Sequence, residues 1–281
     1  MPIWQTSRFT LDLSRPKVMG IVNVTPDSFS DGGSHEGVSA AMAHAEQLLA
    51  DGAHILDIGG ESTRPGSPAV PLAEELRRVL PVVREAVRLS VPISVDTYKP
   101  AVMQAVLDAG ADIINDIWAL RHPGAQQVVA QHPQCGVCLM HMHANPQTMH
   151  VEHMEGDVTP QVLRFLQQQT DEMRALGVQR NRIVWDAGTG FGKSVSQNFL
   201  LLQQQTQLAR AGYPLLAGWS RKGSLGKVTG RAVDERMPAS IAAALLSVEH
   251  GAAIVRVHDV RETVDALAVL VAMQQPERQV F

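Results

Sequence analysis

The segment Ile21-Val-Asn-Val-Thr-Pro-Asp-Ser-Phe-Ser-Asp-Gly-Gly33 carries an apolar, strand-like run into a loop crowded with Asn, Thr, Asp and Ser oxygens. Hard oxygen donors of this kind suit Mg²⁺ and phosphate, and Pro26 with Gly32-Gly33 keeps the segment from continuing as strand or helix. Taken alone, such a loop more often reads as a solvated turn. Asp96 and Asp186 pose the same choice, because each ends an apolar run where a carboxylate either caps the next helix or meets a ligand. Arg256 and His258 lie two apart on a strand-like run and so face one way, as cations for an anion or as a solvated strand end.

Three other patterns carry less. Ala187-Gly-Thr-Gly-Phe-Gly-Lys-Ser194 is one residue short of a nucleotide-binding phosphate loop, with Ala at the first required Gly. His141, His143, His150 and His153 with Glu152 are dense enough to suggest zinc, but the segment beyond His143 reads as loop and lacks a helical His-x-x-x-His. Cys135 and Cys138 have redox spacing, yet they open a strand-like run rather than a helix and no second pair completes a metal site, so both read as buried structural thiols.

These residues need a scaffold, and the chain is large enough to build one. It has 281 residues, 45% hydrophobic and 19% charged, with net charge −4 and pI near 6.2. That balance excludes a general nucleic-acid surface, so an anionic ligand must be met by locally placed Arg and Lys. The longest apolar runs fall short of the roughly 18 to 20 residues a membrane span requires, and no secretory signal opens the chain, which makes the cytoplasm the expected location.

Short apolar runs alternate with amphipathic segments throughout. Strands are predicted at Val18–Val22, Ile55–Ile58, Ile93–Asp96, Ile113–Asp116, Gly136–Met140, Ile183–Asp186, Leu215–Gly218 and Ile254–Val257. Helices are predicted at Val38–Ala50, Leu72–Leu89, Pro100–Ala109, Gly124–Gln131, Pro160–Leu176, Asn198–Ala211, Ala239–His250 and Val260–Met273. A Gly-Ala hinge recurs before strands at Gly52-Ala53, Gly110-Ala111 and Gly251-Ala252. Eight such units with no linker predict an α/β fold, a single-domain (β/α)₈ TIM barrel over residues 1–281. Residues 1–16 would form a short N-terminal hairpin or strap and 17–275 the barrel, with a doubly wound open sheet as the alternative.

In such a barrel the active site forms at the C-terminal ends of the strands. Every unit supplies polar residues there: Asn23 and its loop, Glu61–Arg64, Asp96-Thr97, Asn115-Asp116, His141 after Met140, Asp186, Ser220-Arg221-Lys222, and Arg256 with His258. The motifs Asn23–Gly33, Gly60-Glu-Ser-Thr-Arg-Pro-Gly66, Ser94-Val-Asp-Thr97, Asn115-Asp-Ile117, Gly190-Phe-Gly-Lys193, Ser220-Arg-Lys222 and Arg256-Val-His258 resemble, in order and spacing, those of the dihydropteroate synthases.

The resemblance implies a transferase of folate biosynthesis that joins 6-hydroxymethyl-7,8-dihydropterin diphosphate to 4-aminobenzoate, releasing diphosphate with Mg²⁺ present. It implies that Asp96, Asn115, Met140, Asp186 and Lys222 bind the pterin, a carboxylate being able to accept adjacent ring N–H donors as a fork. Asn23, Arg256 and His258 would hold the diphosphate, with Asn23 also on the metal. Thr63, Arg64, Pro65, Phe191 and Ser220 would surround the aminobenzoate, with Lys222 and the helix N-terminus after it also placed for its carboxylate. Asn23, Asp96, Lys222 and Arg256 are the residues expected to bear on bond making. A homodimer packed through late helices is expected, as are small-molecule substrates and no nucleic-acid or membrane partner.

The chain departs from the family pattern at Ala187, where Pro is usual, at Trp118, where a small residue is usual, and at His143-Ala-Asn145. Two further functions share the barrel: a pterin-binding methyltransferase domain of the corrinoid type, and a non-catalytic pterin-binding paralogue. The first would not need the loops at Asn23–Gly33, Thr63-Arg64 and Ser220–Lys222.

Overall fold

The structure is a computed structural model that describes residues 2–24, 35–62, 69–145, 148 and 152–274. Strands β1 (Ile3–Gln5) and β2 (Thr10–Asp12) pair antiparallel, as a hairpin apart from the main sheet. The barrel strands are β3 (Lys17–Asn23), β4 (Ile55–Gly59), β5 (Ile93–Asp96), β6 (Ile113–Asp116), β7 (Gly136–Met140), β8 (Ile183–Asp186), β9 (Leu215–Ala217) and β10 (Ala252–Val257). They are parallel throughout and close in chain order, β10 pairing with both β9 and β3. That closure removes the open-sheet alternative.

The helices are α1 (His35–Ala50), α2 (Leu72–Ala86), α3 (Pro100–Asp108), α4 (Ala125–Gln131), α5 (Val158–Ala175), α6 (Val195–Gln203), α7 (Gln205–Ala209), α8 (Gly223–Thr229), α9 (Met237–Glu249) and α10 (Val260–Gln274). Pro100 opens α3 at a position where its missing N–H costs nothing, and Ser194 with Gln197 forms a capping box on α6. Gly52, Gly110 and Gly251 take φ of +99°, +100° and +96°, the left-handed turn that ends a helix before the next strand.

Two expectations change. The helix predicted over Asn198–Ala211 is broken at Gln204, after which Gln205 turns inward and donates from Nε2 to Ser247 O at 2.7 Å. The helix whose N-terminus the resemblance places after Lys222 is the short α8, which is too brief to show an apolar period and is missing from the predicted helices.

Because successive strand residues point to opposite faces, the buried runs divide into two cores. Val18, Leu56, Val95, Ile114, Val137, Ile183, Leu215 and Val255 face outward and pack with the helices. Met19, Ile55, Ile113, Cys138, Val184, Leu216 and Ile254 face inward and fill the bottom of the lumen with Trp4, whose Nε1 donates to Arg182 O at 2.9 Å. The hairpin is held there by Arg8, which donates to the buried Asp112 carboxylate from Nε and, at 2.6 Å, from Nη2.

Candidate functional site

Two residues above that apolar layer, the same strands turn polar. Ile55 is followed inward by Asp57, Ile113 by Asn115, Val184 by Asp186, and Ile254 by Arg256 and His258. Asn23, Asp96, Phe191, Ser220, Lys222, Arg256 and His258 line one cleft of about 850 Å³ at this end of the barrel. Asn115, Asp186 and Met140 sit behind that lining. Asn115 joins it through Asp57, Asp186 Oδ2 lies beside Gly218 of the cleft wall, and Met140 packs in a small cluster with Ile117, Met142 and Phe191. Thr63, Arg64 and Pro65 lie outside the described residues, as do Thr25–Gly33 and His150.

Arg256 organises the centre. Its Nε donates to Asp57 Oδ2 at 2.6 Å and its Nη2 to Asp96 Oδ2 at 2.8 Å, while Asn115 Nδ2 donates to the same Asp57 oxygen at 3.1 Å. Burial raises the Asp96 pKa to about 7 against the pull of Arg256, and the two carboxylates hold Arg256 firmly protonated. Asp57 stands outside the residues that the sequence motifs single out. The signal was present, as a single carboxylate inside the apolar run Ile55–Ile58, two residues above Ile55 and so on the lumen face.

Asp186 accepts from Gly188 N at 2.7 Å, the turn that a capping reading would require, but its position on the lumen face leaves it beside Lys222 as well. Burial raises its pKa, and the Gly188 N–H and Lys222 oppose that shift. Gly188 has φ +68°, and a Cβ there would stand 1.8 Å from His141 O, so the turn beneath Asp186 admits only glycine. Lys222 stands over the Phe191 ring at 4.1 Å, with its pKa pressed down to about 8 by burial and partly restored by Asp186. An ammonium over the face of an aromatic side chain, near buried carboxylates, suits a flat, polar-edged ring.

Ser220 and His258, assigned to different substrates by sequence, meet: Ser220 Oγ lies 2.9 Å from His258 Nδ1 and accepts from His258 N at 3.1 Å. Arg221 between Ser220 and Lys222 turns aside to pair with Asp259. Lys193 is no phosphate ligand, since its Nζ donates to three carbonyls, His141 O, Gly188 O and Phe191 O, and so ties the β7 and β8 loops together. Asp116, next to Asn115, points the other way and accepts from Trp118 N and Leu120 N, holding the turn at Ala119 and Leu120. His141 is buried edge-on against Phe165, and among the described residues no three His, Cys, Asp or Glu side chains gather into a metal site. Cys135 and Cys138 are buried and unbonded to each other.

The stem of the second loop is pinned by Lys99, whose Nζ donates to Glu61, to Glu75 and, at 2.8 Å, to Val70 O. Thr97 Oγ1 adds a bond to Glu75 at 2.7 Å. Both ends of the segment that sequence assigned to aminobenzoate are therefore tied to one ammonium after β5.

Comparison with known proteins agrees with this geometry. The family described as pterin binding enzyme matches residues 19–258. Dihydropteroate synthase of Neisseria meningitidis serogroup B is 48% identical over 277 residues, covering 96% of this chain and 97% of its own length. Among solved structures, Xanthomonas albilineans dihydropteroate synthase with 4-aminobenzoic acid superposes with TM-score 0.91 at 49% identity, covering 97% of this chain and 98% of that one. The Burkholderia cenocepacia dihydropteroate synthase complexed with 7,8-dihydropteroate gives TM-score 0.90 at 50% identity, covering 99% and 98%.

Proposed function

The chain belongs to the dihydropteroate synthase family of pterin-binding enzymes, and from that premise we propose how the barrel mouth divides the family's reaction among its residues. The enzyme is a transferase of folate synthesis that joins 6-hydroxymethyl-7,8-dihydropterin diphosphate to 4-aminobenzoate, giving 7,8-dihydropteroate and diphosphate. The observation that carries the assignment is the gathering of Asp96, Lys222, Arg256 and His258 around one cleft, with Asn115 and Asp186 directly behind.

Asp186, Asp96 and Asn115 accept from the polar edge of the pterin, Met140 packs on its face, and Lys222 meets a ring heteroatom. The leaving diphosphate develops negative charge against Asn23, Arg256 and His258. Among the described residues the donor set near these cations is poor in carboxylates free to bind metal, since Asp57 and Asp96 are held by Arg256. Asn23, exposed at the end of β3, would hold Mg²⁺ through its amide oxygen, a hard donor suited to that ion. When bound, that ion neutralises the diphosphate.

The aniline nitrogen of aminobenzoate is unprotonated at neutral pH and needs no strong base. The site's work is therefore to stabilise the departing charge, to orient the amine and to exclude water from the pterinylmethyl cation. Phe191 walls the benzene ring and Ser220 receives its carboxylate, with Thr63, Arg64 and Pro65 assigned to the same ligand from sequence. A homodimer through the last helices fits the exposed Leu246 of α9 and the Val269 and Met273 of α10. Among the described residues no helix is long and apolar enough to cross a membrane, and the cytoplasm is the proposed location.

The test is diphosphate release by the purified chain. Release that requires the pterin diphosphate, 4-aminobenzoate and Mg²⁺ together supports the reading. Release without aminobenzoate marks a hydrolase, and pterin binding without release marks a non-catalytic paralogue.

A further inference from the structure

We propose that Asp57 is a positioning residue for the condensation: from beneath the cleft its carboxylate dictates which way the Asn115 amide faces and fixes the plane of the Arg256 guanidinium. This rests on the reading of the barrel mouth given above. Asp57 is 0% exposed, so it reaches substrate only through its neighbours. It stands one lumen layer above Ile55, and its Oδ2 accepts both from Arg256 Nε at 2.6 Å and from Asn115 Nδ2 at 3.1 Å.

A carboxylate ion-paired with a guanidinium only accepts hydrogen bonds, so the amide group turned towards it has to be the NH₂ of Asn115. The Asn115 carbonyl oxygen is then turned away from Asp57. Asn115 is thereby committed to accept from the pterin, whose polar edge carries N–H donors. With no acceptor beneath it the amide could rotate, and its NH₂ would meet those donors head on, leaving buried polar groups unpaired. The same Asp57 oxygen takes one side of Arg256 while Asp96 takes another at 2.8 Å, so the guanidinium cannot swing away from the cleft wall.

The decisive variant is Asp57→Leu, which nearly keeps the shape and removes the shared acceptor. Its kcat/KM for the pterin diphosphate falls about a hundredfold, the cost of misplacing a binding group by about an ångström. The loss appears chiefly as a raised KM for that substrate, while the KM for 4-aminobenzoate stays unchanged. A merely structural role would lower the folded fraction and leave both KM values alone.

The milder variant Asp57→Asn leaves an acceptor for both partners, because the Arg256 Nε–H orients the introduced amide with its oxygen at the shared position. It should recover about tenfold of the lost pterin KM, the worth of one hydrogen bond to a charged group. Wild-type kinetics in folded Asp57→Leu overturn the proposal, as does Asp57→Asn no better than Asp57→Leu. Should Asp57→Leu fail to fold, Asp57→Asn decides alone: a pterin KM raised up to about tenfold with an unchanged KM for 4-aminobenzoate supports the proposal, and a pterin KM at the wild-type value or raised about a hundredfold overturns it. Absence of two-substrate diphosphate release in the wild-type control would instead sink the functional reading itself.

Discussion

The two ends of the barrel lumen are built from the same strands and differ in almost every physical respect. At the bottom, Met19, Ile55, Ile113, Cys138, Val184, Leu216 and Ile254 close on Trp4 in a layer with no charge. Two residues higher, Asp57, Asn115, Asp186 and Arg256 occupy the same faces of β4, β6, β8 and β10. Each fully buried apolar side chain below contributes about 2 kcal/mol. Each ion above costs several kcal/mol to desolvate, a cost offset only while its partner is present. Stability therefore resides in the lower layer, and the upper layer is a set of mutually dependent charges retained for what they do to a ligand.

The strongest way to break that contrast is Arg256→Met. It leaves Asp57 and Asp96 without their shared cation, so kcat/KM should fall about a thousandfold and stability by about 3 kcal/mol. Steady-state kinetics with urea denaturation check both, and a loss below tenfold would show that the upper layer is not interdependent. Trp4→Ala probes the other end. It should cost about 3 to 5 kcal/mol of stability while the folded fraction keeps wild-type KM values, and a changed KM would mean that the two layers are coupled.

A subtler test uses pH. Asp96, raised to about 7, has to be ionised to accept, and Lys222, lowered to about 8, has to be protonated to meet the ring. The profile of kcat/KM for the pterin diphosphate should therefore be narrow, falling below about pH 7 and above about pH 8. Lys222→Arg should abolish the alkaline limb. The stability linkage has the opposite sign from that of most paired carboxylates, because burial outweighs the pull of Arg256: folded Asp96 binds its proton more tightly than at its ordinary 3.8, so its contribution declines as pH rises from there to about 7. The smallest effect belongs to Cys138→Ala, which removes one sulfur from the lower layer. It should cost about 1 kcal/mol by calorimetry and leave turnover unchanged.

How much of this was legible varies by element. The strand runs and the Gly-Ala hinges were readable because burial on both faces demands continuous apolar residues and because glycine alone takes φ near +100° cheaply. The strand-end residues Asn23, Asp96, Asp186, Arg256 and His258 were readable as a group for the same reason, since the periodicity says where each strand stops. Asp57 was not, because it lies inside a run and means something only when Arg256, 199 residues away, and Asn115 are known to share its oxygen. The break at Gln204 was hidden likewise, depending on a carbonyl of α9.

The repeating unit, the end of each strand at which polar residues gather and, through the ordered motifs, the family all follow from residue order. Those properties are local, set by period, turn chemistry and residue type. Who pairs with whom depends on the closed barrel: Arg256 is held by Asp57 and Asp96, Lys193 serves three carbonyls instead of a ligand, and Ser220 and His258 share a hydrogen bond. Closing eight parallel strands into a ring brings residues from distant units within 3 Å of one another, and at that distance burial and charge act on pairs that no stretch of chain contains.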